Sequence, residues 1–128
     1  MILKIRPSIM HHVKLNGIGI DVVDIRRFRK PEMRRDGRFV LNTFSNNERD
    51  YCFSHHEPAP HLAGAFAAKE AVRKVYGDTK IGLSDIEVRH RKSGKPEIWI
   101  KRKLARTILV SISHNATIAI AIACNRTI

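Results

Sequence analysis

The period of apolar and polar positions changes several times along the chain, and each change predicts an element. Residues 15–23, LNGIGIDVV, are an Ile/Val-rich run punctuated by Gly17 and Gly19. This predicts a buried strand whose glycines allow another backbone to come close. Asp21 sits inside the run, so its carboxylate must turn out of the sheet or meet a partner. DIRRFRK predicts a short basic helix that stops near Pro31, because a residue before proline disfavours helix. MRRDGRF carries positive charge on through a turn at Gly37. Ser45 and Glu48 form an S-x-x-E capping box, which opens a helix over roughly residues 46–55. Pro58 and Pro60 predict a break, and a long helix follows over about 61–76 with Gly77 as its C-terminal cap.

At 100° per residue, Ala68, Ala71, Val72 and Val75 of that helix share one stripe, which must face the core. Lys69, Glu70, Arg73 and Lys74 lie on the other side. Leu62 and Phe66 fall in the sector of Lys69 and Arg73, so the outer face is apolar in its first half. Something other than water is expected to cover it, with Glu70 and Lys74 at the edge of a partly buried cleft. The last third reads as strands: residues 85–91, a turn at SGKP, then EIWI. KRKLART is a basic loop or short helical piece. LVSIS and TIAIAIA form a hairpin joined through His114, Asn115 and Ala116. There is no internal repeat.

Length and charge narrow the classes. A chain of 128 residues suits one domain. Residues 1–14 read as a polar N-terminal extension and residues 15–128 as the domain. Lys and Arg number 24 against 12 for Asp and Glu, a formal net charge of +12. That excess points to an anionic partner: nucleic acid, a membrane surface, or an acidic protein or phosphate-rich ligand. Cys52 and Cys124 are far apart and lack the spacing of a zinc site, so both are expected as reduced thiols. No apolar run approaches a membrane span, and the first sixteen residues lack the apolar stretch of a secretory signal. The expected location is the cytoplasm.

Three segments carry candidate chemistry: GIGID ending in Asp21, FAAKEAVRKVYG with Glu70 and Lys74, and SISH with Ser111, Ser113 and His114. Each alone has an ordinary explanation: a strand-end carboxylate, a helical i,i+4 ion pair, and a turn histidine. Together they are more specific. One carboxylate on a strand and one on a helix can share a magnesium ion, which prefers one or two carboxylates with waters and substrate phosphates. A lysine beside them can neutralise phosphate charge, and a positive surface can dock an acidic protein. Transfer from a pyrophosphate ester needs those parts.

In this order, GIGIDVVDIRR, FAAKEAVRKVYG, SGKP and SISH resemble the holo-acyl-carrier-protein synthase family, from about Gly17 to about Ala123. The resemblance implies the 4′-phosphopantetheinyl transferase fold, α+β, with a small antiparallel sheet packed with a long helix. It also implies a homotrimer with active sites between subunits. The implied reaction moves the phosphopantetheine of coenzyme A to a serine of an acidic apo-acyl carrier protein of fatty acid or polyketide synthesis. By motif match, Asp21 and Glu70 would hold Mg2+, and Lys74 would stabilise the departing adenosine bisphosphate. A carboxylate or a metal-bound water would take the serine proton. Gly94, Lys95, Pro96, Ser113 and His114 would lie toward the nucleotide. Arg27, with Arg26 and Arg38, would meet the carrier, since arginine pairs with carboxylates in two-pronged fashion.

Two features depart from the family pattern. Many members have arginine where this chain has Ala65, and the N-terminal extension is unusual. The main rival reading is a basic nucleic-acid-binding domain, supported by RHRK and KRK. Against it, aromatics are only 6%, few for base-stacking platforms, and no DNA- or RNA-binding signature is present. His55, His56 and His61 follow the Glu48 helix, with His11 and His12 upstream. They read as exposed loop histidines rather than a metal site, because no acidic or thiolate ligand completes them.

Overall fold

β1 (Lys14–Asp24) pairs antiparallel with β6 (Ile118–Thr127), and β6 pairs with β5 (Ile108–His114). The computed structural model describes residues 14–77 and 81–127. Residues 1–13 of the expected N-terminal extension lie outside the described residues. Alternation along β1 sorts its side chains between two faces. Gly17, Gly19, Asp21 and Val23 face the long helix α3 (Pro58–Val75), while Ile18, Ile20 and Val22 face away. The strand was expected to be buried, yet it is buried on one face only. Ile18, Ile20 and Val22 are 65%, 52% and 56% exposed.

α3 begins one turn earlier than the prolines suggested. Pro58 and Pro60 lie in its first turn, where backbone N–H groups have no helical partner and a proline loses nothing. The helix ends as expected at Gly77, whose φ of +73° suits glycine. Ala63, Ala67, Ala68 and Ala71 are fully buried against the sheet, so small side chains bring helix and sheet close.

The apolar outer half of α3 is covered by the same chain. α1 (Arg38–Thr43) and α2 (Asn46–Phe53) pack there with β2 (Ile86–His90), which belongs to a second antiparallel sheet with β3 (Pro96–Ile100) and β4 (Lys103–Leu104). Phe28, Phe39, Phe44 and Phe66 meet there with ring centroids 5.6–6.5 Å apart. Lys69, placed by the helical count on the polar side, is fully buried. Its Nζ donates to Glu48 Oε1 at 2.5 Å and to the Ile86 carbonyl. Glu48 in turn accepts from the Ser45 backbone N–H at 2.9 Å, closing the capping box, and from the Val88 N–H at 2.8 Å. Burial raises the Glu48 carboxyl and lowers the Lys69 amine, and the charge of each opposes the shift of the other.

Two smaller expectations also change. KRKLART is a tight turn with Lys101 and Arg102 at φ +49° and +69°, followed by β4. The basic segment after Asp24 is a 3₁₀ turn (Ile25–Arg29) that buries Ile25 and Phe28. Cys52 and Cys124 are both free, and burial pushes the Cys52 thiol up to about 12.

Breaking a buried ion pair from one side costs about 3–5 kcal/mol, because the remaining charge loses its partner. Lys69→Met should therefore lower stability to urea by about that much. Glu48→Gln combined with Lys69→Met should lose clearly less than the sum of the two single variants. An additive double variant would mean that the two side chains do not depend on each other.

Candidate active site

The metal-binding chemistry expected of Asp21 and Glu70 depends on how closely β1 approaches α3. A Cβ on Gly19 would lie 2.0 Å from the Ala71 carbonyl oxygen and 2.9 Å from Lys74 Cβ. One on Gly17 would lie 2.8 Å from the Val75 carbonyl oxygen. Only glycine permits that approach. It sets Asp21 beside the last turns of α3, where Lys74 Nζ donates to Asp21 Oδ1 at 3.2 Å and to the Ile20 carbonyl at 2.8 Å. Glu70, one turn before Lys74, is not paired with it as the spacing suggested. Its nearest cation is Arg73, at 3.9 Å. Asp21 and Glu70 keep side-chain exposures of 19% and 25%, enough for water and a ligand to reach both.

The residues expected at a nucleotide lie elsewhere. Gly94, Pro96 and His114 line a cavity of about 220 Å³ together with Ala65, His61 and His90. Gly94 adopts φ +90° in the turn between β2 and β3. Lys95 is exposed in the same turn and borders a second cavity of about 350 Å³ with Arg91, Arg106 and Arg126. Ser113 pairs with Ile120, which pairs with Val22, so it lies on the outer face of the sheet, away from His114. Asp21 and Lys74 sit at the β1 edge of this sheet, and the cavity lined by His61, His90 and His114 lies at its β5 edge. Glu70 and His61 are nine residues apart on α3, about 180° around its axis and about 13.5 Å along it.

The three arginines expected to meet a carrier differ. Arg26 forks onto Asp24, with Nη2 2.7 Å from Oδ2. That hydrogen bond holds the Asp24 carboxyl below its ordinary range. Arg27 lies over the rings of Phe66, Phe39 and Phe28, 4.8–5.6 Å from their centroids. Arg38 is exposed at the first position of α1.

The 4′-phosphopantetheinyl transferase superfamily model matches residues 17–123. This chain belongs to that superfamily. It is 39% identical over 108 residues to a holo-[acyl-carrier-protein] synthase of Thermodesulfovibrio yellowstonii, a match covering 84% of this chain and 95% of that protein. A holo-(acyl-carrier-protein) synthase from Bacillus anthracis, solved in complex with CoA (3′,5′-ADP), superposes with a TM-score of 0.68 at 29% identity. It covers 89% of this chain and 98% of that one. The Helicobacter pylori enzyme in complex with coenzyme A gives a TM-score of 0.69 at 30% identity, over 83% of this chain and 96% of that one. The family match leaves the nucleic-acid reading without support. The fold is the expected α+β transferase fold, although its antiparallel strands form two three-stranded sheets.

Sequence reasoning missed two features of this transferase. Lys69 within FAAKEA is a structural residue, and its partner Glu48 was visible only as a helix cap. Two of the three histidines after the Glu48 helix are not exposed loop residues: His61 lies on α3, and His55 and His61 are half-buried and stacked, while His56 is exposed in the loop as expected. His11 and His12 lie outside the described residues. Among the described residues, no group of three His, Cys, Asp or Glu side chains is placed to hold a metal ion.

Gly19→Ala should lower stability by about 2–3 kcal/mol or more, because backbone rather than a flexible side chain blocks the new methyl. Gly82→Ala, which meets only ordinary contacts, should change it by less than about 0.5 kcal/mol. Urea unfolding of both variants checks this. Equal effects would show that β1 and α3 can separate without cost.

Proposed function

We propose that this chain transfers the 4′-phosphopantetheine group of coenzyme A to a serine of apo-acyl carrier protein, releasing adenosine 3′,5′-bisphosphate. The observation that carries the reading is Asp21 held beside Lys74, which lies one helical turn after Glu70 on α3, on the motifs that match the family. The serine oxygen bonds to the phosphorus next to the pantetheine, and the bond from that phosphorus to the adenosine bisphosphate oxygen breaks. The serine proton passes to a carboxylate or to water at the site. Lys74 is already fixed by Asp21 and the Ile20 carbonyl, so its ammonium is aimed rather than free. It offsets negative charge on the leaving bisphosphate.

Asp21 and Glu70 would hold magnesium. The donor set suits that ion: two hard carboxylates, both reachable by water, with coordination left over for phosphate oxygens. The chemistry such an ion would supply between Asp21 and Glu70 is positive charge against the pyrophosphate and polarisation of the phosphorus under attack. Gly94, Pro96 and His114 would take the nucleotide end, with Lys95 beside them. Ser113 would act from the outer sheet face, and Arg27, Arg26 and Arg38 would meet the carrier.

Two observations support a homotrimer. The outer face of the first sheet is apolar across all three strands, with Ile18, Ile20, Val22, Ile118, Ile122 and Leu109 exposed. Patches of that kind mark interaction sites. Glu70 and His61 of the histidine cavity also lie on opposite sides of α3, and a neighbouring copy would bring a second set of groups to each. Residues 15–128 would form the working domain. No helix among the described residues is long and apolar enough to cross a membrane. We place the reaction in the cytoplasm.

Incubation with coenzyme A, magnesium and an apo carrier should add one phosphopantetheine to the carrier, read by intact-mass spectrometry. Chelator should abolish the gain, and Glu70→Ala should slow it about a hundredfold or more. No gain on carriers from fatty acid and polyketide synthesis would refute the transfer. For the assembly, Ile20→Lys should turn a trimer into monomer in sedimentation velocity. A variant that sediments as the wild type would exclude this face as the interface.

A further inference from the structure

The described residues that line the cavity at the β5 edge include His61, His90 and His114, but no lysine, arginine or carboxylate. Among them, the histidines set its charge at neutral and acidic pH. The rings touch one another: His55 stacks on His61 at 3.5 Å, His90 stacks on Tyr51 at 3.8 Å, and His114 stands 6.1 Å from His61. Tyr51 meets the edges of His55 and His61. Packing alone does not account for this arrangement. His90 Nδ1 is buried without a hydrogen-bond partner among the described residues, and a buried polar atom of that kind is costly unless a ligand or water completes it. Gly64 and Ala65 keep the α3 surface low, which leaves the space open.

The groups around His61 are Tyr51 from α2, His55 just after it, His90 from β2 and His114 from β5. Glu57, just before α3, is exposed and does not line the cavity. Lys95 also borders a different cavity. Burial first, then the neighbouring histidines, hold His61 below its ordinary 6.5. Burial and His55 do the same for His90. Burial and the neighbouring histidines thus disfavour the charged imidazole, and a bound anion would reverse that.

We propose that His61, with His90 and His114, binds a phosphate of the nucleotide part of coenzyme A by taking up a proton, so that substrate affinity rises as pH falls. This rests on the transferase reading above and adds a pH-dependent anion site to it. The sign follows from linkage. The complex binds more protons than the free protein, so affinity is greatest below the lowered pKa of the free histidine and is lost as pH rises from there to the raised pKa of the complexed one.

The test is calorimetric titration of the full chain with coenzyme A at pH 6, 7 and 8, in buffers of different ionisation heat. Wild type should take up protons on binding. Affinity should fall about tenfold from pH 6 to 8 beyond any change that the ligand's own phosphates cause, as one linked proton allows up to tenfold per pH unit. His61→Gln supplies that baseline and should bind more weakly at pH 6 with a flatter profile. Adding Ala65→Arg to His61→Gln should restore affinity, through a fixed charge, without restoring the pH dependence. A His61→Gln protein with wild-type affinity and profile overturns the proposal. If that variant does not fold, wild-type proton uptake and the His90→Gln profile decide in the same way. Wild type that transfers phosphopantetheine yet binds coenzyme A without proton uptake overturns this inference alone. Wild type that neither binds nor transfers overturns the transferase reading with it.

Discussion

The near-contact of two backbones, β1 against α3 at Gly17 and Gly19, is the constraint on which the rest of the structure depends. A side chain at Gly19 would collide with the Ala71 carbonyl, so sequence and packing are locked together at this point. Strand alternation then turns Asp21 to the same side as Gly19, toward Lys74. It turns Ile18, Ile20 and Val22 the other way. One steric fact thus places a site carboxylate and creates the open apolar face. On the far side of α3, Lys69 and Glu48 tie the helix to α2 and β2. Lys69 and Glu70 are adjacent in FAAKEA but about 100° apart around the helix. One is buried by folding and its neighbour stays partly exposed.

That division makes α3 a partition. Its sheet side and its β2 side are both filled by its own chain, so substrate can meet the helix only along its margins. Asp21, Glu70 and Lys74 occupy one margin, and His61 and Ala65 the other. An extended ligand with a reactive pyrophosphate and a distant nucleotide would have to pass around the helix to use both in one copy. A second copy docked on the open sheet face, as in the proposed assembly, would remove that difficulty. The apolar patch and the separation of the two margins would then have one cause.

Local signals were legible in the sequence because they act over a few residues. Examples are the Ser45–Glu48 capping box, the Gly77 stop, the SGKP turn and the final hairpin. The Asp21 and Glu70 motif residues were legible through order and spacing. What escaped depends on long-range neighbours. The helical count put Lys69 with Arg73, and nothing local shows that Glu48, twenty-one residues earlier, would enter the core to meet it. Glu70 and Lys74 looked like a pair, but the sheet brought Asp21 to Lys74 instead. The histidine cavity joins Tyr51 of α2 with His61 of α3, His90 of β2 and His114 of β5, and these positions have no common spacing. The start of α3 was misplaced because prolines were read as breakers, although the first turn tolerates them.

The net charge of +12 also needs reinterpretation in structural terms. Many of its cations are already engaged: Arg26 with Asp24, Arg34 with Asp36, Arg35 with Asp50, Arg89 with Glu87 and Arg91 with Glu97. A partner must compete with those carboxylates, and exposed pairs of this kind are weak enough to yield. Arg27 and Arg38 make no ion pair among the described residues. Arg27 is moreover held over three aromatic rings, so less side-chain freedom is lost when it binds a carboxylate. For an acidic carrier, the orienting contacts are therefore expected from Arg27 and Arg38. Arg26 and the remaining basic surface contribute attraction at a distance, which salt screens.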